Sequence, residues 1–286
     1  ISGRAISNSR NFFSFFLRLR CTVPIEIPLY RAIISFVFKL KPTKKLNNNR
    51  EVTQVGNHEW ESPKLLAWTT TPWTLPGNTA LAVNKDIIYN ITEINGETLI
   101  AAENSPEGKK IGSIAKVRGE DLLGLEYEPL FNISINQHKS ASYQVYPADF
   151  VSTEEGTGIV HIAPAHGEDD YQLGQKNGLE TISLLDEKGK FNSQAPEFLR
   201  GLYFKKANEF VINDLEKRGL IFNKEKHVHS YPHCWRCGNA LYYSAIPAWF
   251  VNIQKIKKGL IESNNKEINW YPEHLKHGRY EKSVEA

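Results

Sequence analysis

Eleven residues, Trp68-Thr69-Thr70-Thr71-Pro72-Trp73-Thr74-Leu75-Pro76-Gly77-Asn78, constrain this chain more than any other stretch. They hold four threonines, two tryptophans and two prolines. The preceding Leu65-Leu66-Ala67-Trp68 reads as the end of a buried strand. Pro72 and Pro76 then exclude a regular helix and a central strand, because proline fixes φ and donates no N–H. The threonines therefore belong on a rigid, irregular loop leaving a strand, where hydroxyls and backbone amides can face a ligand. Taken alone, the composition fits a plain Thr-rich strand end and proline turn as well as it fits a site.

Around this loop the pattern is β-rich. Ala80-Leu81-Ala82-Val83 reads as a buried strand, and Asn95-Gly96 marks a hairpin between Ile87–Thr92 and Thr98–Ala101. Residues 143–151 alternate as a strand, and Ile159-Val160-His161-Ile162 follows as a short central one. Helical spacing predicts a helix over 169–177 stopped at Gly178, and an amphipathic one over 207–218 stopped at Gly219, with Phe210, Val211 and Leu215 on one face. Residues 42–55, with Lys44, Lys45 and Asn47-Asn48-Asn49-Arg50, read as an exposed loop. Many short strands with few helices predict an α+β, β-rich fold, a distorted barrel. Three segments are expected: an unassigned basic stretch over 1–33, expected to be disordered, a main domain over 34–225, and a Cys-x-x-Cys segment over 226–286.

Charge narrows the function classes. Residues 1–50 carry ten Lys/Arg and a single acid, Glu26, whereas the other 236 carry 25 Lys/Arg against 31 acids. A mildly acidic body argues against a general nucleic-acid binder held by a broad basic surface. No apolar run approaches the roughly 20 residues of a membrane helix. Three cysteines, two of them in Cys234-x-x-Cys237, argue against a disulfide framework and for a reducing compartment. The absence of methionine, even at position 1, suggests an internal piece of a longer protein. Residues 1–20, rich in Arg, Ser and Phe and free of acids, have the composition of an organellar transit peptide. The expected compartment is the cytoplasm, with a mitochondrion or other organelle as the alternative.

A second stretch has the grammar of the first. Glu155-Gly156-Thr157-Gly158-Ile159-Val160-His161-Ile162-Ala163-Pro164-Ala165-His166-Gly167-Glu168-Asp169-Asp170-Tyr171 runs from a glycine turn through an apolar strand and a proline to an acidic loop. In this order and separation the two motifs resemble the connective-peptide editing domain of the class I aminoacyl-tRNA synthetases for branched aliphatic amino acids. Within that group the chain is similar, over roughly residues 34–286, to the isoleucyl-tRNA synthetases. The valyl and leucyl relatives carry an arginine in this loop where Thr71-Pro72-Trp73 stands here, and remain the alternative. A non-catalytic zinc-knuckle RNA-binding module is the second alternative.

The resemblance implies hydrolysis of mischarged Val-tRNA(Ile). It places the ammonium-binding aspartate on Asp170, with Asp169 as fallback, although acids at a helix start are also favoured by the helix dipole alone. Thr69, Thr70 and Thr71 match the loop that contacts the terminal adenosine and holds the water, with Trp68 beside them as a substrate-binding residue. His161 matches a pocket histidine that limits side-chain size. On a strand by itself it would read as a core residue. His166 is expected at the pocket edge. Editing needs no cofactor. Cys234 and Cys237 supply half a tetrahedral zinc site in a zinc-knuckle-like turn, and no second cysteine pair exists to complete it; His233, His229 and His227 are the other candidate ligands. ATP and Mg would serve only the full-length parent, since the ATP-binding signatures of aminoacylation are absent from this sequence. The implied partners are the tRNA(Ile) 3′ end carrying valine and the rest of the synthetase, with no membrane and a monomeric state.

Overall fold

The computed structural model describes residues 13–18, 31–45, 51–133, 141–227, 233–236, 238, 240–247 and 251–285. Most of the basic N-terminal segment, and Cys237 of the Cys-x-x-Cys pair, lie outside the described residues. Two units are distinguished, one formed by residues 15–246 and the other by 1–14 with 247–286.

Nine strands of the larger unit share one sheet: β1 (Arg31–Lys39), β2 (Lys64–Thr69), β3 (Ala80–Val83), β4 (Ile88–Ile94), β5 (Glu97–Ala102), β6 (Ala115–Arg118), β7 (Gln144–Pro147), β8 (Ile159–Ile162) and β9 (Ile221–His227). Their order is β6-β4-β5-β2-β8-β3-β7, with β1 on the other side of β2 and β9 beyond β1. The sheet branches at β2. Its first residues pair with β5 (Lys64↔Leu99), whereas Trp68 pairs with Val160 of β8. The β8 branch curls back to β1. Glu126 bridges to Gln144 at the start of β7, and Tyr127 bridges to Leu40 just past β1. The hydrogen-bond path β1-β2-β8-β3-β7 thus closes through Glu126-Tyr127, which is the distorted barrel expected from the strand pattern.

Period-two alternation sets what each strand offers the interior. Ile34, Phe36 and Phe38 of β1, Leu65 and Ala67 of β2, Leu81 and Val83 of β3 and Ile159 of β8 point inward and form the main core. Val37 and Leu66 belong to a smaller cluster on the opposite face. Asn95 and Gly96 both take positive φ in the β4–β5 hairpin, as an Asn-Gly turn requires. Both expected domain boundaries, at 34 and 225, fall inside strands. These strands, β1 and β9, pair antiparallel with Arg31 opposite His227, so the chain enters and leaves the barrel at one place.

The two longer helices of this unit pack on the frame. The first, α1 (Glu168–Asn177), ends at Gly178 in the left-handed region, as predicted. The second, α2 (Phe204–Lys217), buries Phe204, Ala207, Val211, Ile212 and Leu215. Phe210, expected on its buried face, is 45% exposed, because position 210 lies about 100° around the helix from Val211. Within the expected loop over 42–55, most of the described residues lie in strands. Lys44–Lys45, Glu51–Val55 and His58–Trp60 form a small antiparallel sheet with Val52, Thr53 and Val55 buried. The expected strand over 143–151 narrows to β7.

In the smaller unit the helix Ile253–Glu267 is capped by the Asn252 side chain, which accepts from the Lys255 amide. Trp270 donates its indole N–H to buried Asn264 at 2.7 Å. Among the described residues no helix is long and apolar enough to cross a membrane.

Candidate active site

The threonine loop leaves β2 and folds at once into a short 3-10 helical turn over Pro72–Gly77, all six residues buried. Pro72 opens the turn, where a missing N–H costs nothing. The next amide, of Trp73, has no partner within the turn and donates to Oδ1 of Asn208 on α2 at 2.9 Å. Asn78 closes it. Its N–H returns to the Leu75 carbonyl, its side-chain amide reaches the carbonyls of Ala80 and Ile162, and its Oδ1 accepts from the buried Tyr127 hydroxyl at 2.7 Å.

Within the turn the hydroxyls form a directed chain. Thr74 Oγ1 donates to the Thr71 carbonyl at 2.8 Å, so its proton is committed. Thr74 Oγ1 also lies 3.2 Å from His161 Nε2, and a committed hydroxyl can only accept there. His161 is therefore the tautomer protonated on Nε2, an assignment that follows from the network. Thr71 Oγ1 lies 3.3 Å from Thr74 Oγ1, and Thr69 Oγ1 3.3 Å from Thr71 Oγ1. Thr69 Oγ1 also accepts from the Thr71 amide at 3.0 Å. Protons thus point from Thr69 through Thr71 to Thr74.

His161 stands on the inner face of β8, opposite Leu81 and edge-on to Phe36, with ring centroids 6.5 Å apart. It is 8% exposed, and burial pulls its imidazole down to about 4, so it is neutral near pH 7. Its Nδ1 is buried with no hydrogen-bond partner among the described residues. With one nitrogen committed and the other sealed, His161 has the character of a wall and an anchor, without the free nitrogen a general base needs.

Asp170 occupies the first turn of α1, and Asp169 beside it is exposed. The Asp170 carboxylate folds back and accepts the Ala163 amide at 2.8 Å, just past the end of β8. Gly167 makes this possible, since a Cβ there would sit 2.8 Å from the carboxyl carbon. Burial pushes the Asp170 carboxyl up to about 7, against the lowering effect of the Ala163 amide. A desolvated carboxylate in this state gains most from an arriving cation.

His166 is half-buried, with Nδ1 3.2 Å from the Tyr243 carbonyl, so that nitrogen carries the proton. Its ring packs edge-on against Trp73, centroids 4.7 Å apart. Trp73 also meets Phe204 at 5.0 Å and Tyr242 at 6.2 Å.

Thr69, Thr71 and His161 are thus brought together. Asp170 is tied to the same end of β8 through Ala163, next to the Ile162 carbonyl that accepts from Asn78. Thr70 is half-buried and outside the hydroxyl chain. Trp68 is not brought to the threonines. It faces the other side of β2, where its indole lies over Gly156 so closely that a Cβ there would sit 2.1 Å from ring atoms. The residues that sequence reasoning did not single out are Thr74, Asn78, Tyr127 and Asn208. Thr74 and Asn78 were within the quoted loop, but nothing local marks Tyr127 or Asn208.

Cys234 is buried, its carbonyl accepts from the Gly238 amide at 2.8 Å, and His233 bridges to Ala240. Among the described residues no three His, Cys, Asp or Glu side chains cluster as metal ligands. Cys237 and His229 lie outside the described residues.

No family model matches the chain. An isoleucine–tRNA ligase of Clostridium acetobutylicum is 46% identical over 228 residues, covering 79% of this chain and 22% of that relative. Its counterpart in Bacillus thuringiensis is 41% identical over 230 residues, with the same shares. The chain therefore spans about a fifth of the length of the curated relatives it matches. In structure, GlLeuRS-CP1, a leucyl-tRNA synthetase connective-peptide domain, matches with a TM-score of 0.50 at 17% identity, covering 70% of this chain and 98% of that one, a likeness of fold. With its sequence aligned to those ligases over most of its length, and its barrel folded as a synthetase connective-peptide domain, the chain belongs to the isoleucine–tRNA ligase family.

Proposed function

We propose that this segment removes valine from Val-tRNA(Ile), within a full-length enzyme that uses ATP to charge tRNA(Ile) with isoleucine. The observation that carries this reading is the pairing of a half-buried carboxylate, Asp170, with the Thr69–Thr71–Thr74 hydroxyl chain at the shared ends of β2 and β8. A mischarged tRNA end presents an α-ammonium, an ester carbonyl and a small side chain. Asp170 takes the ammonium as a charge-assisted hydrogen bond, about 1.5–3 kcal/mol. The threonine hydroxyls and the turn hold the terminal adenosine and the attacking water. Water adds to the ester carbon, the bond to the ribose oxygen breaks, and amino acid and ribose hydroxyl leave. His161, backed by the fully buried Phe36, limits the side chain admitted.

Such a second sieve meets a known need. One methylene separates two substrates by only about 10–200-fold, a range for which the isoleucine enzymes are themselves the standard worked case. Zinc at Cys234 and Cys237 is part of the proposal for the 226–286 segment, tested by metal analysis, and no step depends on it. The test of function is to incubate the chain with Val-tRNA(Ile) and Ile-tRNA(Ile) and follow each amino acid. Release of valine with isoleucine spared supports the reading. Equal release of both refutes the sieve.

A further inference from the structure

Helix α2 contributes no side chain to the hydroxyl chain, yet it holds the turn that carries it. Phe204 packs its ring edge-on against the Trp73 indole at 5.0 Å. One turn later on the same helix, Asn208 accepts the Trp73 amide at 2.9 Å. The indole nitrogen of Trp73 is buried with no partner among the described residues, so the backbone bond is the polar tie between this residue and α2. The amide belongs to the Pro72–Trp73 peptide, between Thr71 and Thr74. A rotation of that peptide swings Thr74 Oγ1 relative to both partners it now holds, the Thr71 carbonyl and His161 Nε2.

We infer that Asn208 is a positioning residue for deacylation: it fixes the Pro72–Trp73 peptide, and through it the direction of the threonine hydroxyl chain and the tautomer of His161. The inference rests on the deacylase reading for its consequence, though its structural content is independent. It makes Asn208, 135 residues from the loop and outside both motifs, a determinant of rate.

Asn208→Leu removes the acceptor at similar volume, and Asn208→Asp keeps it. In Asn208→Leu the rate constant for valine release is expected to fall about 10–100-fold with KM within about twofold, the scale of a small misplacement at a reacting centre. Asn208→Asp is expected to stay within about threefold of the parent chain. A merely structural role would lower the urea midpoint and leave the rate constant of the folded fraction unchanged, which would overturn the inference. A second readout does not need turnover. Nitrogen NMR of the His161 imidazole is expected to show one tautomer in the parent chain and in Asn208→Asp, and mixed tautomers in Asn208→Leu. An unchanged His161 signature in Asn208→Leu overturns the inference even if the chain releases no valine, whereas absence of release from the parent chain sinks only the deacylase reading. Should Asn208→Leu fail to fold, Asn208→Ala is read in its place by the same two measurements.

Discussion

Thr74→Val tests the hydroxyl chain most directly, because it replaces one oxygen by a methyl group at nearly constant shape. Thr74 Oγ1 donates to the Thr71 carbonyl at 2.8 Å and accepts from His161 Nε2 at 3.2 Å. Losing the first bond costs about 1 kcal/mol, and stranding the imidazole N–H in a buried site costs about 1–3 kcal/mol more. The expected loss is therefore roughly 2–4 kcal/mol, read as a lowered urea midpoint at unchanged slope. The same substitution in a His161→Leu background should cost only about 1 kcal/mol, because no N–H is left to strand. The difference, roughly 1–3 kcal/mol, is the coupling between the two side chains. Equal costs in both backgrounds would refute the tautomer assignment. A cost of Thr74→Val below about 0.5 kcal/mol would refute the hydroxyl chain itself.

Further outcomes are expected at Asp170, at two glycines and at Tyr127. Asp170→Ala should abolish valine release and keep the circular-dichroism spectrum. In the parent chain kcat/KM should rise with pH through about 7 as this carboxyl ionises. Because the folded-state value lies above the unfolded one, protonation of Asp170 favours the fold. That contribution is complete below about 3.8 and lost as pH rises through about 7, so Asp170→Asn should flatten the stability profile across this window. Gly156→Ala puts a methyl group 2.1 Å from the Trp68 ring at φ +65 and should cost roughly 2–4 kcal/mol. Gly124→Ala, with φ +76 and nothing within 4 Å, should cost only about 1–2 kcal/mol in the same denaturation assay. Tyr127→Phe leaves buried Asn78 Oδ1 unpaired and should lower stability by roughly 1–3 kcal/mol, with a matching drop in melting temperature.

The sequence by itself determined the local punctuation and the identity of the loop. Pro72 and Pro76 restrict the backbone whatever surrounds them, Asn95-Gly96 sets its own turn, and Gly178 ends its own helix, because each acts through φ and nearest-neighbour sterics. The resemblance carried by the two motifs marked Thr69, Thr70, Thr71, Trp68, His161, His166, Asp169 and Asp170 as candidate site residues, of which hydrogen bonds join Thr69 and Thr71, through Thr74, to His161. Trp68, expected beside the threonines, faces the other side of β2, since adjacent strand residues point to opposite sides. What only the tertiary structure decided is which groups meet across long separations. That Phe210 is exposed while Val211 is buried depends on where α2 docks. That Asn208 meets the Trp73 amide, that Tyr127 meets Asn78, and that His161 carries its proton on Nε2 depend on a barrel closed by segments far apart in the chain. Hydrogen bonds of this kind leave no period or spacing in a sequence, because their partners are set by the closure of the sheet, and only then by chemistry.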